Sequence, residues 1–163
     1  MTQAELMGWT STRRLTAEGA VESEQRVRLE RPVVEPTEDG ARWLAGAYWA
    51  ELRRFGRGLL SVREQAGGVE VRFLGPGPRL LSLGPLEAHV TETATVAAHE
   101  IVGGLLVRRP GGRISFEQLD GELRSRIGGF HPRRGPFYAL VQWNLHVKVS
   151  RAYFRRLIGG GAA

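Results

Sequence analysis

Hydrophobic positions along the chain follow three successive periods. In V-E-S-E-Q-R-V-R-L-E-R, Val21, Val27 and Leu29 alternate with charged neighbours, the period of two that marks a half-buried strand. Pro32 and Pro36 close that segment. Thr37 then offers a hydroxyl to the free amides of a helix start, and Glu38 and Asp39 sit at its positive end. Trp43, Leu44, Ala47, Tyr48, Leu52 and Phe55 recur at helical spacing; Arg53, Arg54 and Arg57 suit the negative end, and Gly56 or Gly58 stops the helix. Gly40 and Gly46 leave open one bent helix or two short ones, since each Gly weakens a helix by about 1 kcal/mol relative to Ala.

From Leu59 to Phe130 the period returns to two and is repeatedly broken by Gly and Pro. L-L-S-V-R-E and V-E-V-R-F-L flank Gly67-Gly68 as a hairpin, and Arg79 to Leu83 follows G-P-G-P. Two further strands are expected at Glu87 to Ala98 and Ile101 to Arg108, joined at His99-Glu100. Gly111-Gly112 turns the chain into R-I-S-F-E-Q-L, and Glu122 to Phe130 alternates Leu123, Ser125 and Ile127 with charged residues. The third period is the last one. Gly135 and Pro136 open a long helix whose apolar positions, from Phe137 through Leu140, Leu145, Val149, Tyr153, Phe154 and Leu157 to Ile158, cover more than one face. Gly159-Gly160-Gly161 ends it. Residues 1–15 show no sustained period and are expected to fray or pack loosely, leaving an N-terminal segment, 1–20, ahead of a single domain at 21–160.

Strand, helical segment, a run of antiparallel strands and a long C-terminal helix form the element order of an α+β helix-grip fold, a curved antiparallel β-sheet wrapped around the last helix. In that order the chain resembles the START-related, polyketide-cyclase-like superfamily (SRPBCC), most closely at Gly103-Gly104, at Gly111-Gly112 and in the final helix. The resemblance implies a pocket between sheet and helix, used in such proteins for lipids, hormones, cyclisation or dehydration. The superfamily has no common catalytic motif, so no residue role transfers. A lipocalin-like closed barrel is the alternative, and the two long helices argue against it.

Composition narrows the chemistry. With 0 Cys there is no disulfide, thiolate nucleophile or cysteine metal site. No apolar run nears the roughly 18 residues needed to span a bilayer, and no secretory signal opens the chain, so a cytoplasmic address is the expectation. The formal charge is +6, and Lys148 is the sole lysine. The arginines are spread in pairs along the chain and no nucleic-acid-binding module accompanies them, so surface charge is a better reading than a nucleic-acid face. The four histidines, His89, His99, His131 and His146, form no ligand-spaced set, and neither a metal nor a cofactor is expected. Glu51, Glu92 and Glu117 are candidates for a buried acid, with no spacing that pairs them.

The candidate site is therefore a pocket. Gln142, Asn144 and His146 interrupt an apolar stretch of the last helix, where a few polar groups would orient a ligand. Trp43, Tyr48, Trp49 and Trp143 would line it for an aromatic or polycyclic molecule, or simply fill the core between helices and sheet. Arg133 and Arg134, ahead of the last helix, would hold an anionic head near its positive end. The expected partner is a small hydrophobic or amphipathic molecule, with an anionic variant. Catalysis is open: a cyclase, dehydratase or hydrolase in the same pocket would use His146 for proton transfer. The third reading is a filled pocket in a structural protein or homo-oligomer, with Trp9, Trp49 or Tyr153 in an exposed apolar patch.

Overall fold

The computed structural model describes residues 6–133 and 136–160, the side chains of 136–144 excepted. The elements run β1 (Thr10–Leu15), β2 (Val21–Arg28), α1 (Glu38–Gly56), β3 (Leu60–Gln65), β4 (Gly68–Phe73), β5 (Arg79–Leu83), β6 (Glu87–Val90), β7 (Ala94–Gly103), β8 (Arg113–Leu119), β9 (Glu122–Phe130) and α2 (Pro136–Gly159). The strands form one curved, unclosed antiparallel sheet in the order β1-β2-β9-β8-β7-β5-β4-β3, with β6 also paired to β7. The C-terminal helix packs against it, an α+β arrangement compatible with a helix grip.

The helix ends follow their local chemistry. Thr37 Oγ1 accepts the Gly40 amide at 3.0 Å, and Arg57 closes α1 in the left-handed region at φ 39°. Gly40 and Gly46 do not divide it: α1 is a single helix of 19 residues. Its face bearing Ala41, Leu44, Ala45, Tyr48, Trp49 and Leu52 is buried, with contacts to β3, β6, β7, β8 and α2. Gln118 of β8 fixes the approach to this helix. Its side-chain oxygen accepts from the amides of Val33 and Val34, and its nitrogen donates to the Val34 carbonyl. At the other end Arg53 donates to the Val62 carbonyl and pairs with Glu64, covering part of the free edge of β3.

On α2, Val149, Ser150, Tyr153, Phe154 and Leu157 turn inward, the i, i+3, i+4 spacing of one helix stripe. Ser150 lies over Ser125 of β9, their hydroxyl oxygens 3.4 Å apart, and Tyr153 donates to the Leu44 carbonyl of α1 at 3.1 Å. The carboxylate of Glu51, itself buried, joins the helices by accepting from Arg156 at 2.9 Å and Arg54 at 3.2 Å.

Two strand expectations are corrected. Residues 10–15 form β1, paired with β2 from Thr10↔Arg26 to Leu15↔Val21. All six residues are exposed, so no apolar alternation could mark them. The segment is also tied down ahead of β1, since Trp9 packs edge-on to Phe154 and lies under the Arg151 guanidinium. The second correction concerns the break expected at His99-Glu100. It falls at Thr91–Thr93, where the Thr91 hydroxyl accepts the Ala94 amide, and β7 runs unbroken through His99. Residues 105–108 form a loop, with one bridge between Val107 and Pro132.

One side of β7 is covered by β8 from Ala94↔Leu119 to Glu100↔Arg113. The other is shared: β6 covers Thr95 to Ala98, and β5 joins at Ile101 and Gly103. Gly84-Pro85-Leu86 makes the change-over. There the Gly84 amide donates to the Glu100 carbonyl, and His99 Nδ1–H donates to the Gly84 carbonyl at 2.8 Å. His99 is thus a structural pin at the corner of the sheet. Burial lowers its pKa and favours the neutral ring, the Gly84 bond acting in the opposite sense.

Candidate functional site

A cavity of about 130 Å³ lies between the inner face of the sheet and the two helices. Its size compares with the ~150 Å³ apolar cavities that hold a benzene ring. Tyr48, Trp49 and Leu52 of α1 and Leu145 and His146 of α2 form one wall; Val71, Leu81, Ile114, Ile127 and Phe130 from four strands form the other. Leu60 of β3 and Arg13 of β1 both reach it, so the two free edges of the sheet border one space. The lining is almost wholly apolar, and Arg13, Ser23, Tyr48, Trp49 and His146 supply its polar groups.

Tyr48 and His146 meet inside this wall. Tyr48 Oη and His146 Nδ1 are 2.9 Å apart. The phenol is packed against Phe116, Trp49 and Tyr153. Burial raises the Tyr48 pKa far above its usual value, with the Ser150 hydroxyl beside it acting in the opposite sense. Burial lowers His146 to about 4, so the ring is neutral at pH 7. Its Nε2 has no accessible surface and no hydrogen-bond partner among the described residues. Removing the charged form of a histidine from water is the physical cause, and no nearby carboxylate offsets it.

The sequence expectations divide at this cavity. Tyr48 and His146 line it. Trp43 does not: it is 43% exposed on the outer side of α1, whereas Trp49 lines the cavity. Arg133 is exposed, and its backbone amide donates to the carbonyl of the lining residue Leu106, which puts it at the cavity's edge with its side chain outside. Arg134 and the side chains of Gln142, Trp143 and Asn144 lie outside the described residues. Trp49 and Tyr153, expected in an exposed patch, are buried in the core instead, 1% exposed each. Of the three carboxylates considered, Glu51 alone is buried, and its two arginine partners account for it.

Sequence reasoning omitted Leu52 from the site, although a signal existed: it lies four residues from Tyr48 on the same helix face, whereas Trp43 is five residues away and points elsewhere. The contributions of Leu81, Ile114, Ile127 and Phe130 depend on sheet curvature and had no such signal. Among the described residues, no three His, Asp or Glu side chains converge as metal ligands, and no helix is long and apolar enough to cross a membrane. No protein family matches the chain, and comparison with curated proteins and with solved structures finds none similar to it, so the helix-grip resemblance rests on architecture alone.

Proposed function

We propose that the protein binds a small hydrophobic or amphipathic molecule in the cavity between the sheet and its two helices. The supporting observation is the cavity itself: about 130 Å³ of space with an apolar lining, kept open where an ordinary core is packed without voids. A vacant apolar space of that size forfeits contact energy, and an apolar ligand restores it. The volume suits one ring or a short branched chain, with any longer part leaving through the open side.

The test is a binding screen with single-ring and short-chain compounds, read by thermal stabilisation, because a ligand selective for the native state raises its apparent stability. Leu81→Phe, which fills the cavity from β5, is expected to keep the fold and abolish binding. If no compound binds the native chain, or Leu81→Phe binds as well as the parent, the reading fails.

A proton-transfer enzyme in the same cavity is the second reading, favoured by the contact between Tyr48 and His146. A histidine with a pKa near 4 is a weak base at neutral pH, which puts binding ahead of catalysis. Absence of His146-dependent turnover across ester, epoxide and β-hydroxycarbonyl substrates would remove it.

A further inference from the structure

The polar groups behind the cavity wall have a direction. Ser125, Ser150, Tyr48 and His146 stand in line from the sheet, through both helices, to the cavity: Ser125 and Ser150 oxygens are 3.4 Å apart, Ser150 adjoins the Tyr48 phenol, and Tyr48 Oη is 2.9 Å from His146 Nδ1. Each group carries one hydrogen to donate, and two orientations of the chain are possible. If the protons run from the sheet outward, Ser125 donates to Ser150, Ser150 to Tyr48 and Tyr48 to Nδ1. The Nε2–H of His146 and the lone pairs of Ser125 are then left over among the described residues. If they run inward, both the Ser125 hydrogen and the Nε2 lone pair lack partners among the described residues. The two orders leave equal numbers of groups unmet, and the Tyr48–His146 step decides between them: a phenol is a far stronger acid than a neutral imidazole N–H, so Tyr48 donates to Nδ1 and the outward order is the favoured one. It also presents a donor polarised by the hydrogen bonds behind it.

Resting on the cavity-binding reading, we infer that the ligand carries a hydrogen-bond acceptor, a ketone, ester or ether oxygen, which takes the Nε2–H of His146. The ring borders the cavity, and Nε2 is closed to water and has no hydrogen-bond partner among the described residues. The terminal torsion of a histidine is broad, so a small turn of the ring within the Tyr48 hydrogen bond would bring its edge toward an incoming oxygen. A neutral donor in an apolar wall selects a neutral acceptor. A bare hydrocarbon leaves the donor unmet.

The probes are cyclohexanone (acceptor), methylcyclohexane (neither) and pyrrole (donor), titrated by NMR against the full chain and its His146→Phe variant. The substitution is expected to weaken cyclohexanone about tenfold, the equivalent of about 1.4 kcal/mol, while leaving methylcyclohexane and pyrrole within a factor of about three. In the unsubstituted chain, imidazole ¹⁵N shifts at pH 7 should show hydrogen on Nε2 and none on Nδ1, with the Nε2–H signal moved by cyclohexanone and not by methylcyclohexane. That measurement holds even if the variant fails to fold. Hydrogen on Nδ1, or an Nε2–H signal indifferent to cyclohexanone, overturns the acceptor inference, as does a variant that loses pyrrole affinity instead; hydrocarbon binding would then still uphold the cavity reading. If none of the three binds, both fall together.

Discussion

His146 couples the acidity of the solution to the stability of the fold. In the folded chain burial holds its pKa at about 4, whereas an unfolded histidine titrates near 6.5. Between those values the unfolded chain binds a proton that the native chain refuses. The stability tied to the neutral ring is therefore full above about pH 6.5 and is lost as pH falls toward 4. His99, lowered in the same direction by burial, adds to the trend. Urea unfolding at pH 7.5 and pH 4.5 should show a loss on acidification larger in the parent than in His146→Phe by roughly 2 to 3 kcal/mol. Only the difference between the two losses matters, because the variant also strips Tyr48 of its partner and lowers stability at both pH values. Equal losses would mean that His146 is hydrated in the native state.

Among the elements, the β3–β4 hairpin turns on one atom's worth of space. Gly68 has φ 134°, and a side-chain carbon there would fall on the backbone carbonyls of Leu83 and Gly84 in the neighbouring strand. Gly67 beside it faces open space. Gly68→Ala is expected to cost about 2 kcal/mol or more and Gly67→Ala less than about 0.5 kcal/mol in chemical unfolding; similar costs would place the constraint elsewhere. The Gly67-Gly68 turn, the Thr37 cap and the long final helix were legible because each rests on local rules of the backbone. β1 was not, because Thr10 to Leu15 bury no face and leave no alternation to read. The break assigned to His99-Glu100 failed for a related reason. A polar pair looks like a turn in sequence, yet here the imidazole is pinned to Gly84 inside the sheet. In the site, the helix period could identify Tyr48 and His146, while the facing strand residues are brought together only by curvature that no local pattern encodes.

At the level of the molecule, charge and cavity are separate matters. Arg124 illustrates the first: it lies among Glu24, Glu117 and Glu122 on three adjacent strands, a network that accounts for its charge without a ligand. The cavity depends instead on how the two parts of the sheet are joined. β3, β4 and β5 contribute Leu60, Val71 and Leu81 to its wall. Their strand pairing with β7 is short, Ser82↔Gly103 and Leu83↔Ile101, supplemented by the Gly84 bonds to Glu100 and His99 and by the Leu105 and Leu106 amides on β5 carbonyls. β8 is instead paired along its whole length on both sides, with Ala94 to Glu100 of β7 and Glu122 to Gly128 of β9. A seam of that kind lets three strands swing as a unit while the rest stays closed, and the swing would widen the cavity. Amide protons of β4 and β5 should therefore exchange with deuterium well before those of β8 and β9, and a bound ligand should slow the former selectively. Uniform exchange across the sheet would contradict this. The entry route for a guest would then be no permanent channel but an intermittent parting of strands, its frequency set by one short stretch of hydrogen bonds.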